Sequence, residues 1–429
     1  MQIGASAIAF VSAVLAFIVP ASASALEYKP YFRGGVGFNS RGGGQACFAL
    51  PYADFKARLG NECDQYAELE LSEIIYKDDT GLEFKYVFMP AFGIVTTAPG
   101  LSPSGYGSGD LFVQQNWANV ILPQLGGASV WAGLRYFRRH DVHSYDWFYW
   151  NPNQGNAGAG IEDIHLGFGS LAFTLTRIDG GPNAALGAYI MPEARWYSVP
   201  VNLDGTLEVG FDVAIAHDQP VTVGDPPVTA RALGDNRLAV SPWITVEHVQ
   251  KELLGGANKV AVQFGMGSMA DMNGRAIVGA SSHVSQWRIL DQFYAQPIPE
   301  VSGALVFIYQ NKSADAGAGA SILTLEARPA YHINDYFKIA LDLSYQTVWL
   351  KHSDASFANL LKITLAPTLV AGRGYFARPE IRAFVTYAHW NDSATMLAIA
   401  RKQPMASGAF GQDTNGLTFG VHMEGWMSN

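Results

Sequence analysis

Four aromatic residues of this sequence lie two residues from charged ones, so that ring and charge share one face of an extended strand. They are Tyr31 beside Lys29 and Arg33, Tyr66 beside Asp64 and Glu68, Phe376 beside Arg378, and Trp426 beside Glu424. A ring on a water-facing surface contributes little to stability. It can pack on the C–H-rich face of a sugar ring while the charged groups bond to the sugar hydroxyls. The pattern predicts a row of weak sugar contacts, with membrane-interface aromatics as the alternative.

The sequence offers little that indicates an enzyme or a metal site. His140 and His143 lie three residues apart in RRHDVH, but without a third ligand this spacing supports metal binding only weakly, and hydrogen bonding explains it better. The chain has no GxSxG motif, and Ser144 beside His143 does not form a triad by adjacency. We therefore expect no catalytic residues, no metal and no cofactor.

Alternation of apolar and polar residues recurs along the chain and predicts strands with one apolar face. In the final segment, Leu417–Glu424, the odd positions are apolar, which leaves Trp426 on the polar face with Glu424. Similar segments begin at Leu207, Val260 and Ile339, with turn signals at Asp204-Gly205, Asp335 and Gly372-Arg373-Gly374.

So many strands exceed what one compact sheet can absorb. A soluble β-sandwich would share the composition, with 49% hydrophobic residues and 45 glycines. A transmembrane barrel instead places one face of each strand in lipid and the other in a wet lumen. Strands of about 9 to 11 residues, with their loops, give roughly 16 to 20 strands for this length. The predicted fold class is all-β.

Residues 1–25 have the features of a signal peptide. They are apolar from Ala7 to Val19 and end in the small residues Ala23-Ser24-Ala25. The apolar run is shorter than the about 20 residues of a membrane-spanning helix. We expect cleavage after Ala25, with Ala23 as the alternative, which leaves residues 26–429 as a single barrel domain in contact with outer-membrane lipid.

Charge and cysteine content narrow the partners and the compartment. The formal net charge of −9 argues against nucleic acid as a partner. Cys47 and Cys63 flank an irregular stretch, and an exported chain meets an oxidising periplasm, so we expect a disulfide that clips one extracellular loop. A metal-binding pair or two free thiols are the alternatives.

Three long blocks resemble the maltoporin family of carbohydrate porins. The run YKPYFRGGVGFNSRGGGQACF with RLGNECDQYAELEL is similar to the first hairpin of that family, VWAGLRYFRRHDVHSYDWFYWN to its third strand and inward-folded loop, and FARPEIRAFVTYAHW with LTFGVHMEGW to its last strands. The resemblance implies an 18-stranded antiparallel transmembrane barrel with an inward-folded constriction loop. It also implies a homotrimer that gives guided diffusion to malto-oligosaccharides or related sugars.

The resemblance also assigns roles to residues. It places the four aromatics Tyr31, Tyr66, Phe376 and Trp426 in a sugar-binding aromatic slide. A polar track would contain Arg33, Arg58, Glu68 and His143, and the constriction would contain Arg139, Asp141, Asp146, Phe148 and Asn151. The alternative for the charged residues is that they pair with each other and tune ion conductance.

The sequence departs from the family pattern at the constriction. Phe148 and Asn151 replace the tyrosine and aspartate typical of maltoporins, which removes a hydroxyl and a carboxylate and leaves the carbohydrate unspecified. The aromatic that a neighbouring subunit contributes in the family has only Tyr106 and Trp117 as candidates here. A general diffusion porin for small hydrophilic solutes and ions is the alternative function.

Overall fold

The computed structural model describes residues 26–53, 55–95, 108–151, 156–179, 188–216, 220–223, 228–231, 240–270, 272, 284–313, 319–351, 357–401 and 408–427. The expected signal peptide and Tyr106 lie outside these ranges. Eighteen strands form the main sheet: β1 (Glu27–Asn39), β2 (Asp64–Lys77), β3 (Glu83–Val95), β4 (Ser108–Leu122), β5 (Ala128–Leu134), β8 (Ala157–His165), β9 (Ser170–Asp179), β10 (Ala188–Asn202), β11 (Gly205–Ala216), β14 (Val240–Leu253), β15 (Gly256–Met266), β16 (Ser285–Ile298), β17 (Val301–Lys312), β18 (Ala320–His332), β19 (Phe337–Leu350), β20 (Phe357–Val370), β21 (Glu380–Trp390) and β22 (Asn415–Trp426).

Smaller elements lie in the connections. They are the hairpin of β6 (His140–Val142) and β7 (Trp147–Trp150), the hairpin of β12 (Pro220–Val223) and β13 (Val228–Arg231), helix α1 (Asp392–Ala400), and 3-10 turns at Pro123–Leu125, His143–Tyr145 and Gly267–Met269. Among the described residues, no helix has the length and apolar character needed to cross a membrane.

The main sheet closes on itself. Each strand pairs antiparallel with its neighbours, and β1 pairs with both β2 and β22, with Tyr31 opposite Glu68 on one side and Trp426 on the other. Closure leaves no strand edge with unpaired backbone groups in the hydrocarbon. The 18-stranded antiparallel barrel expected from the family resemblance is confirmed.

The two faces of the sheet have opposite character, as the alternation predicts. On β22, Phe419, Val421 and Met423 are exposed on the outer surface, whereas Thr418 and His422 are buried toward the lumen. Phe211, Val262 and Leu343 on other strands are likewise exposed on the outside. The apolar face of each strand is therefore the face toward lipid.

The two ends of the barrel differ in the length of their connections. Two-residue turns such as Leu203–Asp204 and Leu254–Gly255 join strands at the end that also carries Glu27 and Trp426. The turns predicted at Asp204, Asp335 and Gly372–Gly374 all lie at this end. Because bacterial barrels have short periplasmic turns and long extracellular loops, this end faces the periplasm.

The connection after β5, here called the third loop (residues 135–151), folds into the barrel. It leaves the wall after a strand of only seven residues and carries the β6–β7 hairpin across the lumen. The side chains of Gln263 and Arg288 on the far wall donate to the carbonyl of Tyr149 at 3.0 and 3.1 Å. The inward-folded loop expected from the sequence is present.

The connection between β1 and β2, here called the first loop (residues 40–53 and 55–63), also folds inward, which the sequence analysis did not predict. Cys47 and Cys63 form a disulfide within it. Gln346 donates to the carbonyl of Phe55 at 3.1 Å, and Lys362 donates to that of Leu59 at 3.3 Å. The expected disulfide is present in this loop at the extracellular end. The loop that it closes folds into the barrel against β19 and β20.

Candidate functional site in the lumen

Three of the predicted aromatics form a continuous row on the lumen side of the wall. The ring centres of Tyr66 and Tyr31 are 6.0 Å apart, and those of Tyr31 and Trp426 are 6.3 Å apart with only 18° between the ring planes. These side chains come from adjacent strands β2, β1 and β22, which antiparallel pairing brings side by side. The row is thus set by sheet register.

Phe376 joins this row, but not for the reason that the strand phase suggested. It lies in the turn of residues 371–379 before β21, where strand alternation does not apply. His143 of the third loop connects it to the row, because the imidazole lies 5.3 Å from both Trp426 and Phe376. The aromatic row therefore runs Tyr66, Tyr31, Trp426 and Phe376, with His143 between the last two.

Two further tyrosines extend the row, and the sequence analysis missed both. The rings of Tyr294 and Tyr375 each lie 4.9 Å from Phe376. Tyr294 shares a strand phase with the buried Gln292 and Arg288, a polar pattern that would have identified it. Tyr375 lies in a turn, so no periodic signal marks it.

Paired charges accompany the aromatic row at its Tyr66 end. Arg33 lies 2.5 Å from a carboxylate oxygen of Asp64 and 2.5 Å from one of Asp146 in the third loop. Its guanidinium carbon lies 5.2 Å from the centre of the Tyr66 ring, within range of a cation–π contact. Arg33 thus ties the third loop to the wall beside the row.

Glu424 is the centre of a second group of charges beside Trp426. It accepts hydrogen bonds from Tyr31 at 2.9 Å, from Arg58 at 2.6 Å and from Arg378 at 3.0 Å. Arg382 donates to it at 3.3 Å. The Arg378 guanidinium carbon also lies 4.4 Å from the centre of the Trp426 ring. Charged groups and aromatic faces therefore alternate along the same wall.

Burial changes the ionisation of two groups in the third loop. Burial raises the pKa of Asp146, whereas the guanidinium groups of Arg33 and Arg58 lower it. The guanidinium groups have the larger combined effect, so the pKa falls to about 2. Burial lowers the pKa of His143 to about 4, although the nearby Glu424 carboxylate opposes the shift. At neutral pH, Asp146 is ionised and His143 is neutral.

Among the residues predicted to form the constriction, Arg139 lies between two aromatic rings. Its guanidinium carbon is 3.7 Å from the centre of Tyr136 and 4.1 Å from that of Phe148. The described residues offer neither Arg139 nor the carboxylate of Asp141 an ion-pair partner. Asn151 is buried, and its side-chain oxygen accepts no hydrogen bond from the described part of the chain. These three residues of the predicted constriction therefore keep polar groups without a partner among the described residues.

Two remaining candidates are placed differently. Glu68 lies on β2 and accepts a 2.5 Å hydrogen bond from the Tyr66 hydroxyl, so it belongs beside the aromatic row. Trp117 was a candidate for the aromatic that one subunit contributes to the lumen of its neighbour, and this expectation was wrong. Its indole donates to Gln115 at 3.2 Å, and Arg135 covers its ring at 4.2 Å, inside its own barrel.

A closed barrel with inward-folded loops and a polar lumen is the architecture of an outer-membrane porin. The LamB porin family matches residues 26–427, which is nearly the whole chain. The chain belongs to that family, and its location is the bacterial outer membrane.

Solved porin structures share the fold at low sequence identity. OccK9 (OpdG) of Pseudomonas aeruginosa is 12% identical, with a TM-score of 0.50 over 94% of this chain and 98% of that one. OpdK of Pseudomonas aeruginosa, solved with vanillate, is 10% identical with a TM-score of 0.49 over 93% and 98% of the two chains. OccAB2 of Acinetobacter baumannii is 9% identical, with a TM-score of 0.48 over 94% and 98%. At these identities the likeness concerns the fold alone.

Proposed function

We propose that this porin gives facilitated diffusion to malto-oligosaccharides or related carbohydrates. The observation that carries the proposal is the row of ring faces from Tyr66 to Phe376 with hydrogen-bonding groups along its edge. Each ring offers a weak apolar contact to one sugar residue. Several weak sites in series let a chain enter and leave, whereas a single tight site would trap it.

The pairing of charges supports an uncharged substrate. Many described cations of the lumen lie within 4 Å of a carboxylate. Seven of them, beside the aromatic row and the first loop, share seven carboxylates: Arg33, Arg58, Arg328, Lys338, Lys362, Arg378 and Arg382 with Glu62, Asp64, Asp146, Glu326, Asp342, Glu380 and Glu424. Sugar hydroxyls both donate and accept, so they can bond to either member of such a pair. Because these lumen charges already neutralise each other, the lumen does not need a charged substrate to balance them.

The constriction leaves the sugar unnamed. Phe148 lacks a hydroxyl, and its ring is already covered on one side by Arg139. The groups that remain available there are the Arg139 guanidinium and the Asp141 carboxylate. These two groups also favour the alternative, a general diffusion porin, because unpaired charges at a constriction govern the passage of ions.

The same proposal includes export and assembly. We infer that residues 1–25 are removed as a signal peptide and that the barrel forms a homotrimer. A hydrogen bond between Tyr86 and Asn116 lies on the outer surface of β3 and β4, at 2.8 Å. Polar groups on a lipid face are costly, and contact with another subunit would shield them. The β3–β4 wall is therefore the proposed subunit contact.

The experiment is single-channel recording in a planar bilayer, titrated with maltotriose, sucrose, a cellobiose-type sugar and a non-sugar control. Saturable block of the current by one sugar supports a carbohydrate channel and identifies its class. A channel that stays open with every sugar overturns the proposal and favours the general diffusion porin.

A further inference from the structure

A carboxylate lies on the outer face of the barrel, where the strand pattern leads to lipid. On β16, Trp287 is exposed on the outside, and Gln292 is buried in the lumen, so Asp291 has the outward phase of Trp287. Asn258 of β15 donates to one oxygen of Asp291 at 2.5 Å. The described residues provide no cation for this carboxylate. An uncompensated charge facing hydrocarbon is unfavourable, so the position calls for an external partner.

Asp291 and Asn258 lie at one end of an apolar groove on the outer wall. The groove has a volume of about 710 Å³ and is lined by Leu253, Phe293, Phe307, Leu325, Ala327 and Leu343, among others. The groove begins near the periplasmic surface at Leu253, because this residue is the last of β14 before the periplasmic Leu254–Gly255 turn. From β14 it crosses to β20, which is six strand spacings or about 29 Å.

The outer groove does not lie at the proposed subunit contact. In the ring of eighteen strands, β3 and β4 are third and fourth, whereas β15 and β16 are eleventh and twelfth. These positions lie on opposite walls of the barrel. A closed ring of subunits joined through the β3–β4 wall therefore leaves the groove facing the bilayer.

We propose that the outer groove binds a phospholipid with a primary ammonium headgroup, of the phosphatidylethanolamine type, from the periplasmic leaflet. The ammonium donates to Asp291 and neutralises it, while one acyl chain packs along the groove beside Ala327. Charge complementarity selects this headgroup. The trimethylated ammonium of phosphatidylcholine has no N–H to donate, and phosphatidylglycerol has no cation, so its negative phosphate would face the negative Asp291. The site is independent of what passes through the lumen.

The test measures lipid binding to the purified full-length protein by native mass spectrometry. The probes are phosphatidylethanolamine, phosphatidylcholine and phosphatidylglycerol with identical acyl chains. We expect phosphatidylethanolamine to bind about tenfold tighter than phosphatidylcholine, the effect of one charge-assisted hydrogen bond. Asp291→Asn should remove this preference, and Ala327→Phe should weaken all three lipids by filling the groove.

Ala194→Phe is the matched control, because Ala194 has the outward phase on β10, a strand that contributes no residue to the groove lining. It should leave binding unchanged, and unaltered single-channel conductance confirms that each variant is folded. Equal binding of the three lipids, or an unchanged preference in Asp291→Asn, would overturn the proposal. Disulfide cross-linking between two copies through Asp291→Cys would also overturn it, by assigning the groove to a subunit contact.

Discussion

Replacing Trp426 with alanine should weaken sugar binding while leaving the ion pathway close to unchanged. Trp426 supplies a ring face beside Tyr31, and its indole carries none of the charge pairs of the lumen. Arg378, which covers the ring at 4.4 Å, stays anchored in the variant because Glu424 holds it at 3.0 Å. The substitution therefore removes one apolar sugar contact and leaves the charges in place.

The size of the effect follows from the single ring that is lost. An aromatic contact of this kind is worth about 1 to 1.5 kcal/mol, which corresponds to an increase of about 5- to 12-fold in the dissociation constant. The assay is block of single-channel current by maltotriose, which gives the dissociation constant and the open-channel conductance in one recording. We expect the dissociation constant to rise and the open-channel conductance to change little.

Tyr387→Ala is the matched control for this prediction. Tyr387 is an aromatic of β21 that is 42% exposed on the lipid face, so its loss should not affect sugar block. Tyr31→Ala is a less clean variant, because the Tyr31 hydroxyl bonds to Glu424 and Arg58 and its loss also disturbs the charges. Undiminished block in Trp426→Ala, with the conductance unaltered, would refute the assignment of the aromatic row.

Three other predictions follow from the loops. Phe148→Tyr should strengthen block by maltose-type sugars about 2- to 10-fold by restoring one hydroxyl, and unchanged block would contradict the role of this residue at the constriction. Because burial lowers the pKa of His143 to about 4, sugar block should be constant from pH 5 to 8 and weaken as the pH falls through about 4. The free energy of unfolding follows a different range: the contribution of neutral His143 is complete above the ordinary pKa of 6.5 and is lost as the pH falls toward 4. His143→Gln should lack the step in sugar block near pH 4. Replacing Cys47 and Cys63 with serine should lower stability by up to about 3 kcal/mol, since the chain-entropy model gives that value for loops of this size. Thermal unfolding of the variant should show the loss, whereas an unchanged unfolding temperature would show that the wall contacts alone fix the first loop.

Sequence periodicity predicted the fold well because a barrel strand has only two environments. One face meets lipid and the other meets the lumen, so an alternating pattern such as Leu417–Glu424 predicts orientation directly. The same phase correctly placed Tyr31, Tyr66 and Trp426 inside. It did not apply to Phe376, because that residue lies in a turn, and there only the contacts with His143 and Tyr294 bring it to the row.

By itself, the sequence determined the strand pattern, the faces and, through the family blocks, the closed ring with one inward loop. Only the tertiary structure decided that the first loop also enters the lumen and which charges meet there. Arg58 and Glu424 are 366 residues apart in the chain, yet they lie 2.6 Å apart. Alternation specifies the face of a residue but not which distant segment lies opposite it. Closure of the barrel and the inward path of the loops set those pairs.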